Sequence, residues 1–146
     1  FKQKTAYEIH RWLEFRRVLF RSYEEDLNFN IKRSFIVTAS KNAIRGNHAH
    51  KELNQFMICL NGSCEITCKD GVKEKKFLLE NPNKALFVPN QIWASQKYLS
   101  NQSILLVLCD DKYIESDYLR EYELFKTFRN NFKWLIHTFK LGLCFI

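Results

Sequence analysis

The chain has 146 residues, 46% of them hydrophobic, and this length and composition suit one domain with a real core. Its net charge of +7 is concentrated at the ends: residues 1–22 hold six basic and two acidic residues, residues 126–146 hold four basic and none acidic, and residues 23–125 hold 13 basic and 14 acidic. A near-neutral middle disfavours nucleic-acid binding, and because no apolar run is long enough to cross a bilayer we expect no membrane span.

Residues 1–22 have the features of a leader that is not native to the rest of the chain. Residues 2–8 and 14–22 can be back-translated, in the right order, into the two ends of a common short-read sequencing adapter. The alternative is a real amphipathic helix, because several apolar residues in this segment have helical spacing. We expect the adapter interpretation to hold and assign no function to residues 1–22.

The middle of the chain has the pattern of several short strands separated by turns. Asn61-Gly62-Ser63 and Asp70-Gly71 are tight-turn sequences and predict two hairpins, and residues 42–47 are predicted to form a loop. Strands at this spacing favour a sandwich or a closed barrel. The predicted strands cover residues 31–40, 48–60, 64–69, 73–79, 85–88 and 103–109.

After residue 110 the pattern becomes helical. Tyr118, Tyr122 and Phe125 have helical spacing, with polar residues just before them that can cap a helix. We therefore predict a short helix packed on the strands and place the end of the domain at residue 125. Residues 126–146 form an extension of unknown role, for which a second helix, a partner-binding segment and read-through all remain open.

The cysteines indicate a reducing compartment. Their number is odd, none forms a C-x-x-C pair, and three lie in apolar strand-like runs, where a free thiol behaves as a small hydrophobic group. We therefore expect a cytoplasmic protein. The five cysteines are Cys59, Cys64, Cys68, Cys109 and Cys144.

The stretch Arg-Gly-Asn-His-Ala-His at residues 45–50 carries the strongest chemical signal. Residues two apart on a strand point to the same side, so His48 and His50 share a face, and in a barrel we expect that face to point inward. Two imidazoles and the Arg45 guanidinium are costly inside a core unless a ligand or partner groups satisfy them. We therefore predict a functional site around Arg45, His48 and His50.

The spacing of these residues resembles the first cupin motif. His48 and His50 match its two histidines, and Gln55 occupies the position where a glutamate metal ligand is usual. Of the second cupin motif only Pro89 matches, and Ala94 stands where a histidine ligand is usual. The resemblance implies an all-β, cupin-type jelly-roll barrel over residues 23–125. Because two of the four usual ligands are replaced, we expect no metal and no cofactor.

Further strings within residues 23–125 make the resemblance more specific. They are Phe-Asn-Ile-Lys-Arg at 29–33, Arg-Gly-Asn-His-Ala-His-Lys at 45–51, Val-Pro at 88–89 followed by Trp93, Val-Leu-Cys at 107–109 and Ser-Asp-Tyr-Leu-Arg-Glu-Tyr at 116–122. Together with the two turns, these strings resemble the dTDP-4-oxo-6-deoxyglucose 3,4-ketoisomerases. The resemblance implies a metal-free, homodimeric isomerase with exchanged N-terminal strands. Its substrate would be a dTDP-sugar used for bacterial surface polysaccharides such as O-antigen.

The implied reaction assigns roles to the site residues. Moving a ketone from C4 to C3 requires removal of the C3 proton and return of a proton to C4 through an enediol, and an imidazole titrates in the right range for both steps. We assign His50 as the base, His48 as its acid/base partner or orienting residue, and Arg45 as the cation that holds the enediolate or a phosphate. The expected substrate-binding residues are Arg33, Asn47, Gln55 and Trp93, with a surface role for Arg33 and a core role for Trp93 as alternatives.

Two departures from the resemblance keep other functions open. Phe35 and Ile36 stand where relatives have tyrosine, so no phenol is expected there, and an upstream strand that contributes to the site in relatives would fall within residues 1–22. An inactive fragment and a non-catalytic nucleotide-sugar-binding cupin are therefore alternatives. A nucleotide-sugar 3,5-epimerase is a third, although its chemistry requires a His and Asp pair and a Tyr acid, for which the sequence offers no clear candidates.

Overall fold

Strands account for most of the described chain. The computed structural model describes residues 17–19 and 29–131. The strands are β1 (Arg17–Leu19), β2 (Arg33–Ala39), β3 (Ile44–His50), β4 (Gln55–Asn61), β5 (Cys64–Lys69), β6 (Glu74–Leu79), β7 (Lys84–Val88), β8 (Trp93–Tyr98), β9 (Ser103–Cys109) and β10 (Tyr118–Leu119). A 3-10 turn, Glu115–Asp117, precedes β10, and helix α1 covers residues 122–131.

The strands form two antiparallel sheets with the orders β1-β7-β4-β9-β2 and β10-β3-β8-β5-β6. Alternate side chains of the central strands enter the space between the sheets, where Met57 and Leu105 from the first sheet meet Ile66 and Tyr98 from the second. The predicted all-β class of cupin-type jelly roll is confirmed, with one correction. The sheets remain separate at their edges, so the barrel is not closed.

The interior also contains thiols. Cys59, Cys64, Cys68 and Cys109 are all free and buried between the sheets. Burial raises the pKa of Cys64 and of Cys68 to about 12, because a thiolate would be poorly solvated there. These cysteines act as small hydrophobic residues, as the sequence predicts.

The segment from residue 42 to residue 60 is divided differently from the prediction. β3 occupies most of the predicted loop, and the predicted strand over residues 48–60 is two strands, because a turn at residues 51–54 separates β3 from β4. β8 was not predicted. Its sequence mixes polar and apolar residues on the inward face, where Gln96 lies between two apolar side chains.

β3 contains a one-residue bulge. Arg45 lies opposite Gln96 on β8, and His48 lies opposite Ala94. The three residue steps from Arg45 to His48 therefore pair with only two residue steps along β8. Gly46 and Asn47 absorb the extra residue with φ angles of +79° and +56°. Arg45 and His48 are three residues apart and would point to opposite faces of a regular strand. The bulge puts them on the same face.

Helix α1 covers the outer face of the same strands. Ala49 and Trp93 project away from the inter-sheet core and form a second cluster with Phe125, and the Trp93 and Tyr122 ring centroids are 5.2 Å apart. The predicted short C-terminal helix is therefore confirmed, but it begins after the predicted position. Tyr118 belongs to β10, which pairs with β3.

Most of the two terminal segments lies outside the described residues. Of the predicted leader, the structure describes Arg17–Leu19, which pairs with β7, and of the extension it describes residues 126–131, which continue α1. The predictions of a non-native leader and of a separate extension remain predictions. Within the described residues, no helix has the length and apolar character of a membrane span.

Candidate active site

A cavity of about 280 Å³ lies between the two sheets. Strands of both sheets line it, and the segment that follows β9 closes one side. The lining residues are Arg33, Phe35 and Val37 from β2, Arg45, Gly46 and His48 from β3, Gln55 from β4, Gln96 from β8, and Tyr113, Tyr118 and Arg120 from the segment after β9.

The charges on the cavity wall are positive. Arg33, Arg45 and Arg120 line it, and no aspartate or glutamate of the described residues does. The Arg45 guanidinium makes no hydrogen bond or ion pair within the described part of the chain. A cavity with three guanidinium groups, one of them unpaired, is suited to an anionic ligand.

Aromatic rings hold the other two arginines in place. The Arg33 guanidinium lies 4.6 Å from the Phe35 ring centroid, and its Nη1 donates to the Tyr118 hydroxyl at 3.5 Å. Arg120 lies 4.5 Å from the Tyr118 ring centroid and donates to the Glu115 carboxylate at 2.8 and 2.9 Å. This pairing lowers the pKa of Glu115 to about 2. One part of the cavity wall is therefore a cluster of stacked cations and rings.

The hydrogen bonds of His50 define its tautomer. Nδ1 of His50 lies 2.8 Å from Oδ2 of Asp117, and Nε2 of His50 lies 3.3 Å from Nε2 of Gln55. A carboxylate only accepts and an amide nitrogen only donates. The ring proton of neutral His50 therefore lies on Nδ1, and Nε2 carries the lone pair that can accept a proton.

His48 and His50 form an edge-to-face pair with ring centroids 5.0 Å apart. Burial lowers the pKa of His50 to about 4, against the opposing effect of Asp117, and burial also lowers the pKa of His48. Both imidazoles are therefore neutral at neutral pH. His48 lines the cavity and bonds to the Gly46 backbone, whereas His50 is buried outside the cavity wall and contacts Gln55, which is part of that wall.

We expect acid to destabilise the fold through His50. Its pKa is about 4 in the folded state, against 6.5 for an unperturbed histidine, so the unfolded state binds the proton first as pH falls. Neutral His50 therefore adds about 3 kcal/mol to the free energy of unfolding above about pH 6.5, and this stabilisation is lost as pH falls toward about 4. Denaturant unfolding at neutral pH and near pH 5 measures it. The variant His50→Asn should show a shallower pH dependence, and an equal slope in both proteins would contradict the assignment.

The structure brings most of the predicted residues together. Arg33, Arg45, His48 and Gln55 line the cavity, with His50 directly behind it.

Two predicted contact residues lie elsewhere. Asn47 is the exposed extra residue of the bulge and is not part of the cavity wall. Trp93 is 7% exposed and packs under α1, because it is adjacent to Ala94 on β8 and therefore points to the opposite face. The core role considered for Trp93 is the one that the structure supports.

Sequence reasoning missed the contribution of the segment after β9. Asp117 contacts His50, and Tyr118 and Arg120 line the cavity. The Tyr118 ring centroid lies 4.3 Å from that of His50, so a phenol is present although Phe35 replaces the expected tyrosine. The His and Asp pair and the tyrosine that an epimerase requires are also present. A sequence signal for the two cavity residues was available, because Tyr118 and Arg120 are two residues apart and therefore share one face of a strand.

The donor atoms at the cavity are poorly suited to a metal. Among the described residues, no group of three His, Cys, Asp or Glu side chains is arranged to hold an ion. The Gln55 amide nitrogen, a hydrogen-bond donor, faces Nε2 of His50, and Ala94 offers no ligand atom. The residues present do not fit the usual cupin metal, and the expectation of a metal-free protein remains a prediction.

The fold and the site define a cupin-type domain with an arginine-lined cavity next to a neutral histidine pair. The chain belongs to the family described as FdtA: WxcM-like, C-terminal, whose profile matches residues 5–130. It is 38% identical over 108 residues to the TDP-4-oxo-6-deoxy-alpha-D-glucose-3,4-oxoisomerase of Aneurinibacillus thermoaerophilus, with 72% of this chain and 78% of that protein covered. The predicted resemblance is thereby confirmed.

Solved structures agree with this assignment. A 3,4-ketoisomerase from Helicobacter canadensis is 35% identical, with a TM-score of 0.71 and coverage of 80% of this chain and 93% of that one. QdtA, a sugar 3,4-ketoisomerase from Thermoanaerobacterium thermosaccharolyticum solved in complex with TDP, is 31% identical, with a TM-score of 0.71 and coverage of 80% and 91%.

Proposed function

We propose that this chain is a nucleotide-sugar 3,4-ketoisomerase that acts on dTDP-4-oxo-6-deoxyglucose or a close analogue. The observation that carries the proposal is a neutral His50 with its Nε2 lone pair directed toward the cavity side, beside three arginines. The activity of the relatives and the binding of TDP by QdtA support the same substrate class.

The reaction needs one base for carbon and one acid for oxygen. The C4 carbonyl acidifies the C3 hydrogen, so Nε2 of His50 removes that proton and the electron pair of the C3–H bond forms the C3–C4 double bond. The C4 oxygen takes a proton from the Tyr118 phenol, which then recovers one from the C3 hydroxyl. Delivery of a proton from His50 to C4 leaves the ketone at C3. In deuterium oxide the proton on His50 exchanges with solvent before this step, so C4 receives deuterium. All atoms and charges balance without an external oxidant.

Gln55 controls access to the base. Its amide donates to Nε2 of His50 at 3.3 Å, a long and therefore weak hydrogen bond. We propose that the bound sugar draws this amide onto one of its hydroxyl groups, which frees Nε2 for the C3 hydrogen. This role keeps Gln55 as a substrate-binding residue and explains how a base behind the cavity wall reaches its substrate.

We propose that the three arginines bind different negatively charged groups of the substrate. Among the described residues, Arg45 has no hydrogen-bond or ion-pair partner, and it shares a face with His48, so we propose that it holds either the enediolate oxygen or a phosphate. Arg33 and Arg120 also line the cavity, and we propose that they hold the diphosphate.

A nucleotide-sugar 3,5-epimerase is the second candidate. The observation in its favour is the set of His50, Asp117 and Tyr118, which supplies the pair and the phenol that such chemistry requires. C3 and C5 both lie next to the C4 carbonyl, so both hydrogens are acidic in the same substrate.

One experiment separates these functions. The chain is incubated with dTDP-4-oxo-6-deoxyglucose in deuterium oxide and followed by carbon and proton NMR. A ketoisomerase moves the carbonyl to C3 and places deuterium on C4, whereas an epimerase leaves the carbonyl at C4 and exchanges the hydrogens at C3 and C5. Binding without any exchange would indicate a non-catalytic cupin and would contradict the proposal.

We also propose a cytoplasmic homodimer. β2 lies at the end of its sheet, so one of its edges has no neighbouring strand among the described residues, and Ile36 in its middle is 58% exposed. A second copy that covers this strand would protect it from unspecific pairing. The four free cysteines support a reducing compartment. The role in O-antigen synthesis follows from the resemblance alone. Light scattering tests the assembly, and a monomer would contradict it.

A further inference from the structure

We infer that Asp117 is a positioning residue that holds His50 in the tautomer required for proton abstraction. This inference rests on the proposed function and assigns a role to a residue that is not part of the cavity wall. It predicts that catalysis depends on one carboxylate from the segment after β9.

The carboxylate of Asp117 is fixed by several contacts. Oδ2 accepts from Nδ1 of His50 at 2.8 Å, and Oδ1 accepts from the Glu52 backbone N–H at 2.8 Å. The Asp117 backbone carbonyl accepts from the Lys51 N–H at 3.0 Å, and its own N–H donates to the Ile114 carbonyl at 3.1 Å. The side chain is 12% exposed. The turn after β3 and the 3-10 turn before β10 therefore lock this residue against the ring.

The contact determines which nitrogen can act as a base. With Asp117 as acceptor, the proton of the neutral ring is on Nδ1, and the lone pair of Nε2 accepts from the Gln55 amide. Without an acceptor at Nδ1, the ring can instead carry its proton on Nε2, where it blocks the atom that must take the C3 hydrogen. The carboxylate also stabilises the imidazolium that exists while the substrate is an enediol.

The variant Asp117→Asn tests the inference without a change of size. Its amide oxygen can still accept from Glu52, which turns the amide NH₂ toward Nδ1 of His50. The ring proton is then forced onto Nε2, where the Gln55 amide must turn its oxygen to accept it. We expect kcat to fall by roughly 10²- to 10⁴-fold with KM changed by less than about threefold. The matched control is Asp111→Asn, which removes an exposed carboxylate paired with Lys32 and should leave both constants unchanged.

A spectroscopic readout tests tautomer and turnover separately. In protein labelled with ¹⁵N in histidine, the nitrogen shifts of His50 should report a proton on Nδ1 in the wild type and on Nε2 in Asp117→Asn. A wild-type proton on Nε2, or a folded Asp117→Asn with full kcat, would overturn the inference. If Asp117→Asn does not fold, Asp117→Glu keeps the charge and should retain more activity than Asp117→Ala. A wild type without turnover would refute the proposed function, while the tautomer result would still decide the role of Asp117.

Discussion

Replacement of His50 by asparagine is expected to reduce isomerisation by roughly 10³-fold or more, because asparagine has no group that can accept the C3 proton. Substrate binding should change little, since the arginines that suit the diphosphate remain. The measurement is NMR of dTDP-4-oxo-6-deoxyglucose in deuterium oxide, with loss of deuterium incorporation as the expected result. Binding of the unreacted substrate is measured in parallel by calorimetry.

The matched control for this variant is His48→Asn. His48 lies on the cavity wall and bonds to the Gly46 backbone, but no described carboxylate holds it as Asp117 holds His50. We therefore expect a smaller decrease, of roughly tenfold to a hundredfold. A fully active His50→Asn together with an inactive His48→Asn would reverse the roles of the two imidazoles.

Replacement of Gly46 by alanine is expected to cost both stability and activity. Gly46 has a φ of +79°, and an added Cβ would lie 3.0 Å from the Ala94 carbonyl oxygen and 3.4 Å from the Ser95 Cα. The positive φ alone costs about 1–2 kcal/mol for an alanine, and the close backbone contact adds to it. Because relief of this contact displaces the bulge, Arg45 should move relative to His48, and we expect kcat/KM to fall by roughly tenfold or more.

Gly71→Ala is the control that isolates the site effect. Gly71 has a φ of +91°, but its added Cβ would meet only a Phe125 ring carbon at 3.9 Å. Gly71→Ala therefore has the conformational cost of a positive φ without a close contact to the added Cβ, and residue 71 lies in a hairpin away from the cavity. Thermal unfolding and kcat/KM of both variants are compared. Equal activity in the two folded variants would show that the bulge does not position the arginine.

The sequence was most informative where a local rule decided the structure. Asp70-Gly71 forms the hairpin between β5 and β6 that its composition predicts. The hairpin predicted at Asn61-Gly62-Ser63 is wrong, because this turn joins β4 to β5, which lie in different sheets. The common face of His48 and His50 follows from a spacing of two residues along a strand. Arg45 was placed with them because of its proximity in the sequence, although a spacing of three indicates the opposite face. The register shift that resolves this conflict depends on β8, a strand that the sequence did not reveal.

Long-range pairing accounts for the residues that were missed. Asp117 is 67 positions from His50 and reaches it only because β10 pairs with β3. Of the three residues with helical spacing, Tyr122 and Phe125 lie in the helix, but Tyr118 does not. Pairing of β10 with β3 takes precedence over the weak local helix preference at Tyr118. Trp93 was assigned to the ligand by its chemistry, but its position on β8 directs it beneath the helix.

The extra residue in β3 has a consequence for how this pocket can change in evolution. Loss of a single codon between Ile44 and His48 would reverse the side on which every preceding side chain of that strand projects. The guanidinium would then face outward although no amino acid at the site had been substituted. Short insertions and deletions are therefore the events by which relatives can gain or lose this cation. In an alignment, a gap at this point carries more functional information than the exchanges around it.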